Sequence, residues 1–275
     1  MSDTETYIRQ LKESYPLREP LLRDVIRALE LPTGSRGLDV GCGIGQPSLL
    51  LAEAVGPAGQ VTGFDQSLEF LLQAEELVKR SGFSNQISFR QGDVHHLPFD
   101  DEEFDWIWSV DCVGYPGVGD PLPLVRELAR VVKPGGKLAL LTWTSQKLLP
   151  GYLLLESRLN VTSATIVQHL KAKKPESNFM RALGWFRDAG LEDVRARTFI
   201  GEVCAPLNED IKTALVCFFQ MLWGEPLSGI SEEDWKEYER LCLPESSDFI
   251  LNAPDYYGFF TYTMFQGRIP ALSTA

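Results

Sequence analysis

One short run constrains this chain more than any other: Leu38-Asp39-Val40-Gly41-Cys42-Gly43-Ile44-Gly45-Gln46. An apolar strand pattern carries a carboxylate near its end and passes into a turn with glycine at every second position. A helical pattern follows at once. Glycine at such a turn permits positive φ and lets a ligand approach the bare backbone, so the join reads as a nucleotide-binding loop. The dinucleotide fingerprint is Gly-x-Gly-x-x-Gly, whose third glycine lets the helix pack tightly on the strand. Here the third glycine comes one residue early, at Gly45, and Gln46 follows. Asp39 stands two residues before the first glycine, where it would repel a pyrophosphate.

The rest of the pattern is α/β. Residues 1–35 read as helical, with Pro20 able to start a helix and Leu21, Leu22, Val25, Ile26 and Leu29 forming an apolar stripe. From Arg36 short apolar strands alternate with amphipathic helices, which implies a parallel sheet covered on both faces. Strands are expected ending at Gly41, and over Gln60–Asp65, Ile87–Gly92, Phe104–Val110, Lys137–Trp143, Val194–Ile200 and Tyr256–Phe265. One helix runs to about Val55. Another starts at the N-cap Ser67 with Leu68, Leu71, Ala74 and Val78 on one face. A third spans 120–132 and closes on Lys133-Pro134-Gly135-Gly136. Phe179–Ala189 is an amphipathic helix ended by Gly190, and 208–242 is a further helical stretch. Residues 145–178 read as an insertion.

The ligand that suits a carboxylate beside this turn is an adenosine compound without phosphate and with positive charge. S-adenosylmethionine is such a molecule, with a cationic sulfonium and amino group. Asp39-x-Gly41-x-Gly43-x-Gly45, Asp65, Gly92-Asp93-Val94 and Lys133-Pro134-Gly135-Gly136 fall in order and at suitable separations. Together they resemble the class I S-adenosylmethionine-dependent methyltransferases, in the quinone- and menaquinone-biosynthesis-like branch that modifies small molecules. The resemblance covers about residues 30–200, and the remainder by element order.

That resemblance implies a Rossmann-like seven-stranded sheet ordered 3-2-1-4-5-7-6 with strand seven antiparallel, forming a single domain over 1–275. It also implies an N-terminal lid over 1–35 and helical cap insertions near 145–178 and 208–252 that select the substrate. By the same resemblance, Asp65 would accept the ribose hydroxyls and Gln66 would lie along the adenine. Asp93 would take the adenine amino group, and the Val94 amide the ring nitrogen. Asp39 would act near the methionine amine, Gly41, Cys42 and Gly43 would hold the methionine portion through the main chain, and Ser109 would offer its carbonyl. Tyr7, Tyr15 and Arg18 belong to the segment that folds over the cofactor, with Tyr15 the preferred lid residue. No catalytic residue is assigned, because a sulfonium methyl is already activated and a base is needed only for some acceptors. Asp111, Tyr115, His95 and His96 follow strands and could face the acceptor; Tyr115 is the first to substitute.

Charge and composition exclude other classes. A net charge of −12 opposes binding to DNA or RNA, and Lys171-Ala172-Lys173-Lys174 is the densest basic run. The amino terminus lacks the pattern of a signal peptide, and no apolar stretch approaches the roughly 18 residues of a spanning helix. Five widely spaced cysteines without Cys-x-x-Cys read as reduced thiols in the cytoplasm, not as a zinc site. His95, His96 and His169 make a poor metal set, so no metal is expected. Asp105 is expected to be structural, and Cys42 a small loop residue. Phe218, Phe219, Trp223, Tyr256 and Tyr257 would suit an apolar acceptor or equally a helix packed on a sheet. An NAD-dependent oxidoreductase and a non-catalytic S-adenosylmethionine-binding module remain as alternatives, and the oligomeric state is open.

Overall fold

The computed structural model describes residues 3–114, 119–162, 175–224 and 230–271. In chain order the elements are α1 (Asp3–Leu29), β1 (Arg36–Val40), α2 (Gln46–Val55), β2 (Gln60–Asp65) and α3 (Leu68–Ser81). Then come β3 (Ile87–Gln91), β4 (Phe104–Val110), α4 (Pro121–Arg130), β5 (Val132–Lys147) and α5 (Leu153–Thr162). The chain continues with α6 (Ala182–Asp188), β6 (Glu192–Cys204), α7 (Glu209–Trp223), α8 (Glu232–Cys242) and β7 (Tyr257–Arg268).

The seven described strands form one sheet in the expected order, β3-β2-β1-β4-β5-β7-β6. β1 pairs in parallel with β2 and β4, β2 with β3, and β4 with β5. Thr144 faces Thr261 while Gly136 lies against Ile269, so the index rises on one strand as it falls on the other and β7 runs antiparallel to β5. Thr198 opposite Thr263 and Ala205 opposite Tyr256 show the same for β6 and β7. Burial follows position. Every residue of central β4 except Asp105 is buried, whereas edge strand β6 is mostly exposed.

Contacts gather the chain into two compact units. The larger comprises Leu22–Trp143, Lys174–Phe199 and Thr263–Ala275; the smaller comprises Met1–Leu21, Thr144–Lys173 and Ile200–Tyr262. In the larger unit, Leu38, Val40, Ile107, Leu138 and Leu140 of the sheet pack on Leu124 and Leu128 of α4 and on Trp185 and Phe186 of α6. Burying each such side chain contributes about 1.5–3 kcal/mol. On β4, the Trp106 indole donates to Ser35 Oγ at 2.8 Å, which satisfies its one polar atom inside the core. No described helix is long and apolar enough to cross a membrane.

Several local expectations are corrected. Pro20 does not start a helix; both Pro16 and Pro20 lie inside α1. They are four residues apart on an exposed face, where water can take the carbonyls they free. The stripe Leu21, Leu22, Val25, Ile26 and Leu29 is buried as expected. Leu71, Ala74 and Val78 are buried on α3, but Leu68 is 52 % exposed. At 100° per residue Leu68 lies about 120° around the helix from Ala74, off the buried face. The helix before Lys133 stops at Arg130, and Lys133–Gly136 lies within β5 rather than outside it. Val132 pairs with Phe104 and Lys137 with Trp106, so the residues between them bulge from the ladder. Asp105 at this bulge is structural, accepting from the Arg36 amide and Lys133 Nζ, each at 2.7 Å. The expected helix at 179–189 opens as a 3₁₀ turn over Phe179–Arg181, and the stretch 208–242 is two helices, α7 and α8.

Candidate functional site

Because β3, β2, β1 and β4 run parallel, their carboxyl ends form one rim, with neighbours roughly 4.8 Å apart. Asp93, Asp65, the glycine loop and Ser109–Asp111 therefore stand in that order along a single edge of the larger unit. The loop is fastened to β2 by backbone bonds: Gly41 and Cys42 both donate to the Phe64 carbonyl, at 2.8 and 3.2 Å. Asp65 completes the clasp, its Oδ2 accepting from the Gly43 amide and its Oδ1 from the Ser67 amide, each at 2.9 Å. Gly41 has φ 72° and packs so closely on Cys112 that an added Cβ would fall 2.6 Å from its side chain. Gly45, at φ 79°, caps α2 and has Ala74 against it in the same way, 2.9 Å from where a Cβ would stand. The loop backbone thus presents no side chain at either position.

The electrostatics of the rim centre on two carboxylates. Asp39 is fully buried. Its Oδ2 accepts from Ser48 Oγ at 2.6 Å, while its Oδ1 has no hydrogen-bond partner. Burial pushes its pKa up to about 7; the Ser48 bond opposes this, and the nearby charge of Asp65 adds to it. Asp65 is 8 % exposed. Among the described residues neither carboxylate meets a lysine or arginine. A buried acid with a vacant oxygen and no counter-charge favours a cationic ligand. Burial also raises the thiols beside it, Cys112 to about 12 and Cys42 well above its ordinary value. Cys42 is thus a small buried loop residue and an inert thiol.

The other sequence candidates fall in varied places. Gln66 is exposed, and its carbonyl accepts from the Gln91 side chain at 3.0 Å. The Asp93 side chain is 62 % exposed, and its Oδ1 is engaged by His95, by the amide at 2.9 Å and by Nδ1 at 2.7 Å. The His95 amide, then its ring, holds the Asp93 carboxyl below the usual range. Val94 is half-buried against the core. Ser109 is buried, and its Oγ has no hydrogen-bond partner. Asp111, at φ 49°, accepts the Trp143 amide at 2.9 Å. His96 lies beside Asp93, its amide bonded to the Asp93 carbonyl. Tyr115, His169 and Lys171–Lys174 lie outside the described residues. Tyr7, Tyr15 and Arg18 sit on α1 in the smaller unit, where Tyr15 is half-buried and Arg18 lies 5.9 Å over the Tyr262 ring.

Phe218, Phe219, Trp223 and Tyr256 are buried within the smaller unit, and Tyr256 donates to the Leu148 carbonyl at 3.0 Å. Packing occupies them, while Tyr257 is exposed and donates to Glu202. Sequence reasoning missed Ser48 and Cys112. Both reach the site from other elements, and the one local signal was a hydroxyl on the inner face of the helix after the loop. No group of three or more His, Cys, Asp or Glu among the described residues could hold a metal.

The strand order, the glycine turn and two buried carboxylates that, among the described residues, meet no lysine or arginine define the class I S-adenosylmethionine-dependent methyltransferase architecture. A family model described as a methyltransferase domain matches residues 38–136. The demethylmenaquinone methyltransferase of Bacillus subtilis (strain 168) is 33% identical over 192 residues, covering 66% of this chain and 81% of that protein. That of Staphylococcus carnosus (strain TM300) is 34% identical over 195 residues, covering 66% of this chain and 78% of that protein. A SAM-dependent methyltransferase of Aquifex aeolicus has the same fold, with a TM-score of 0.55 at 18% identity over 98% of this chain and 100% of that one. The chain belongs to the class I S-adenosylmethionine-dependent methyltransferases, in the menaquinone-methyltransferase-like branch. It is an enzyme that moves a methyl group from S-adenosylmethionine to a small molecule, and neither alternative reading finds support.

Proposed function

We propose that the acceptor is a quinone-like aromatic of the demethylmenaquinone kind, on the strength of the relatives' activity. The observation that carries the cofactor assignment is Asp39, buried without a counter-charge and with a vacant Oδ1 beside the glycine turn. In this reading Asp39 faces the methionine amine, and the main chain of Gly41, Cys42 and Gly43 with the Ser109 carbonyl holds the methionine portion. Asp65 takes the ribose hydroxyls on its remaining lone pairs, since each oxygen already accepts one amide. Gln66 lies along the adenine, the Val94 amide meets the ring nitrogen, and Asp93 offers Oδ2, its Oδ1 being held by His95.

When bound, S-adenosylmethionine supplies a methyl already activated for in-line displacement. The chain's own task is to exclude water and hold the acceptor at roughly 3–3.5 Å from that methyl. Tyr15 is assigned a lid role, the insertions near 145–178 and 208–252 acceptor selection, and Tyr115 a contact with the acceptor. A cytoplasmic location fits five free cysteines. Calorimetry should find S-adenosylhomocysteine binding and NADH not. Labelled S-adenosylmethionine should then mark a demethylated naphthoquinone. Label on other small molecules but never on the quinone would overturn the acceptor assignment and spare the cofactor site.

A further inference from the structure

A cavity of about 460 Å³ lies within the larger unit and is walled by Lys137 of β5, Asp193 and Arg195 of β6, and Gln266 and Arg268 of β7. Sheet order makes these three strands neighbours. Lys137 pairs with Trp106 near the start of β4, so the cavity is at the opposite end of the parallel strands from the glycine loop. Leu141 stands four positions after Lys137 on β5, on the order of 13 Å of strand.

The chain has 38 acidic and 26 basic residues, yet this cavity gathers three cations around one carboxylate. That carboxylate, Asp193, is 3.8 Å from Arg268, at the limit of an ion pair. Lys137 donates to the carbonyls of Leu29 and Glu30, the Arg268 guanidinium to the Gly135 carbonyl, and the Gln266 side chain lies against Arg195. These partners are neutral, so they orient the cations without cancelling their charge. Burial, then repulsion from Arg268, lowers the Lys137 pKa; the Glu30 charge opposes this and Arg195 adds to it.

We propose that this cavity binds a small soluble anion bearing phosphate groups. Gln266 lies on Arg195 Nε and Nη2, and Gly135 and Asp193 lie on Arg268 Nη1 and Nε. Arg195 Nη1 and Arg268 Nη2 are left to donate to phosphate oxygens, and the Lys137 ammonium adds a point charge. An anionic membrane surface fits poorly. Asp193 stands exposed in the cavity wall with the exposed Glu192 next to it in the chain, and the whole chain carries −12.

Titration calorimetry of the full chain with inorganic pyrophosphate at low ionic strength tests the site. The wild type should bind saturably at one site. Arg195→Gln and Arg268→Gln should each weaken binding about tenfold, the scale of one lost charge-assisted bond. Asp193→Asn should tighten it about threefold, and asparagine tolerates the φ of 52° there. If Arg268→Gln fails to fold for want of its bond to Gly135, Arg195→Gln and Asp193→Asn still decide. Absence of saturable heat at millimolar pyrophosphate, or affinity unchanged in Arg195→Gln and Asp193→Asn, would overturn the proposal. So would sedimentation of the chain with phosphatidylglycerol vesicles that depends on Arg195.

Discussion

Replacing Asp39 by asparagine should make stability respond to pH in a way that isolates the buried charge. In the wild type the folded carboxyl has a pKa of about 7, against 3.8 for the same group free in water. A raised folded value means that the native state holds the proton more tightly than the unfolded chain. The group is neutral in both states below about pH 4. As pH rises to about 7 the unfolded chain ionises while the native one resists, and stability falls; above that it is level. Each pH unit in this window costs about 1.4 kcal/mol, so the wild type loses about 2 kcal/mol between pH 5.5 and 7 on this account. Asparagine retains an oxygen for the Ser48 hydroxyl, 2.6 Å from Oδ2 in the wild type, and has no charge to bury. Its amide hydrogens meet no acceptor, a fixed penalty of about 1–3 kcal/mol that does not vary with pH. The measurement is therefore the gap between variant and wild type in urea unfolding, taken from pH 5.5 to 8.5. It should shift by about 2 kcal/mol in favour of the variant and flatten above pH 7. A gap constant across that range would refute the claim that Asp39 carries an uncompensated charge.

The other expectations concern the same rim. Ser48→Ala removes the bond that lowers the Asp39 pKa, so the inflection in that stability profile should move to higher pH; an unmoved inflection would count against the pairing. S-adenosylhomocysteine should bind wild type more weakly as pH falls below 7, because the protonated Asp39 no longer attracts the ligand's ammonium, and calorimetry should find this slope much reduced in Asp39→Asn. Asp65→Ala should abolish that binding, both by removing the ribose acceptor and by releasing the Gly43 amide; wild-type affinity would sink its assignment. Gly41→Ala should destabilise the fold by at least about 1–2 kcal/mol from the left-handed backbone alone. Overlap with Cys112 adds to this, and Gly41→Ala combined with Cys112→Ala should recover in thermal unfolding only the part due to the sulfur, because alanine keeps the Cβ that also lies 2.6 Å from the added carbon.

Much of the larger unit was legible locally. β2 over Gln60–Asp65 and β4 over Phe104–Val110 occupy the residues expected of them, because short apolar runs bounded by turns leave a strand few other registers. Ser67 caps α3 for the same local reason, since its hydroxyl accepts from the Phe70 amide three residues on. Errors arose where the deciding partner was distant. Lys133–Gly136 carries turn residues, yet pairing on Phe104 and Trp106 draws it into β5 as a bulge.

The sequence by itself determined the strand–turn–helix join, the alternation of strands and helices, and the presence of a carboxylate at the end of each motif strand. Glycine conformation and side-chain period are properties of neighbours along the chain, and any fold must respect them. Tertiary structure alone decided that Asp39 loses all contact with water, that Ser48 rather than a cation meets it, and that Cys112 presses on Gly41. It also gathered Lys137, Arg195 and Arg268 from three strands into one cavity. Charge, burial and pKa depend on which distant residues fill the space around a group, and strand order settles that.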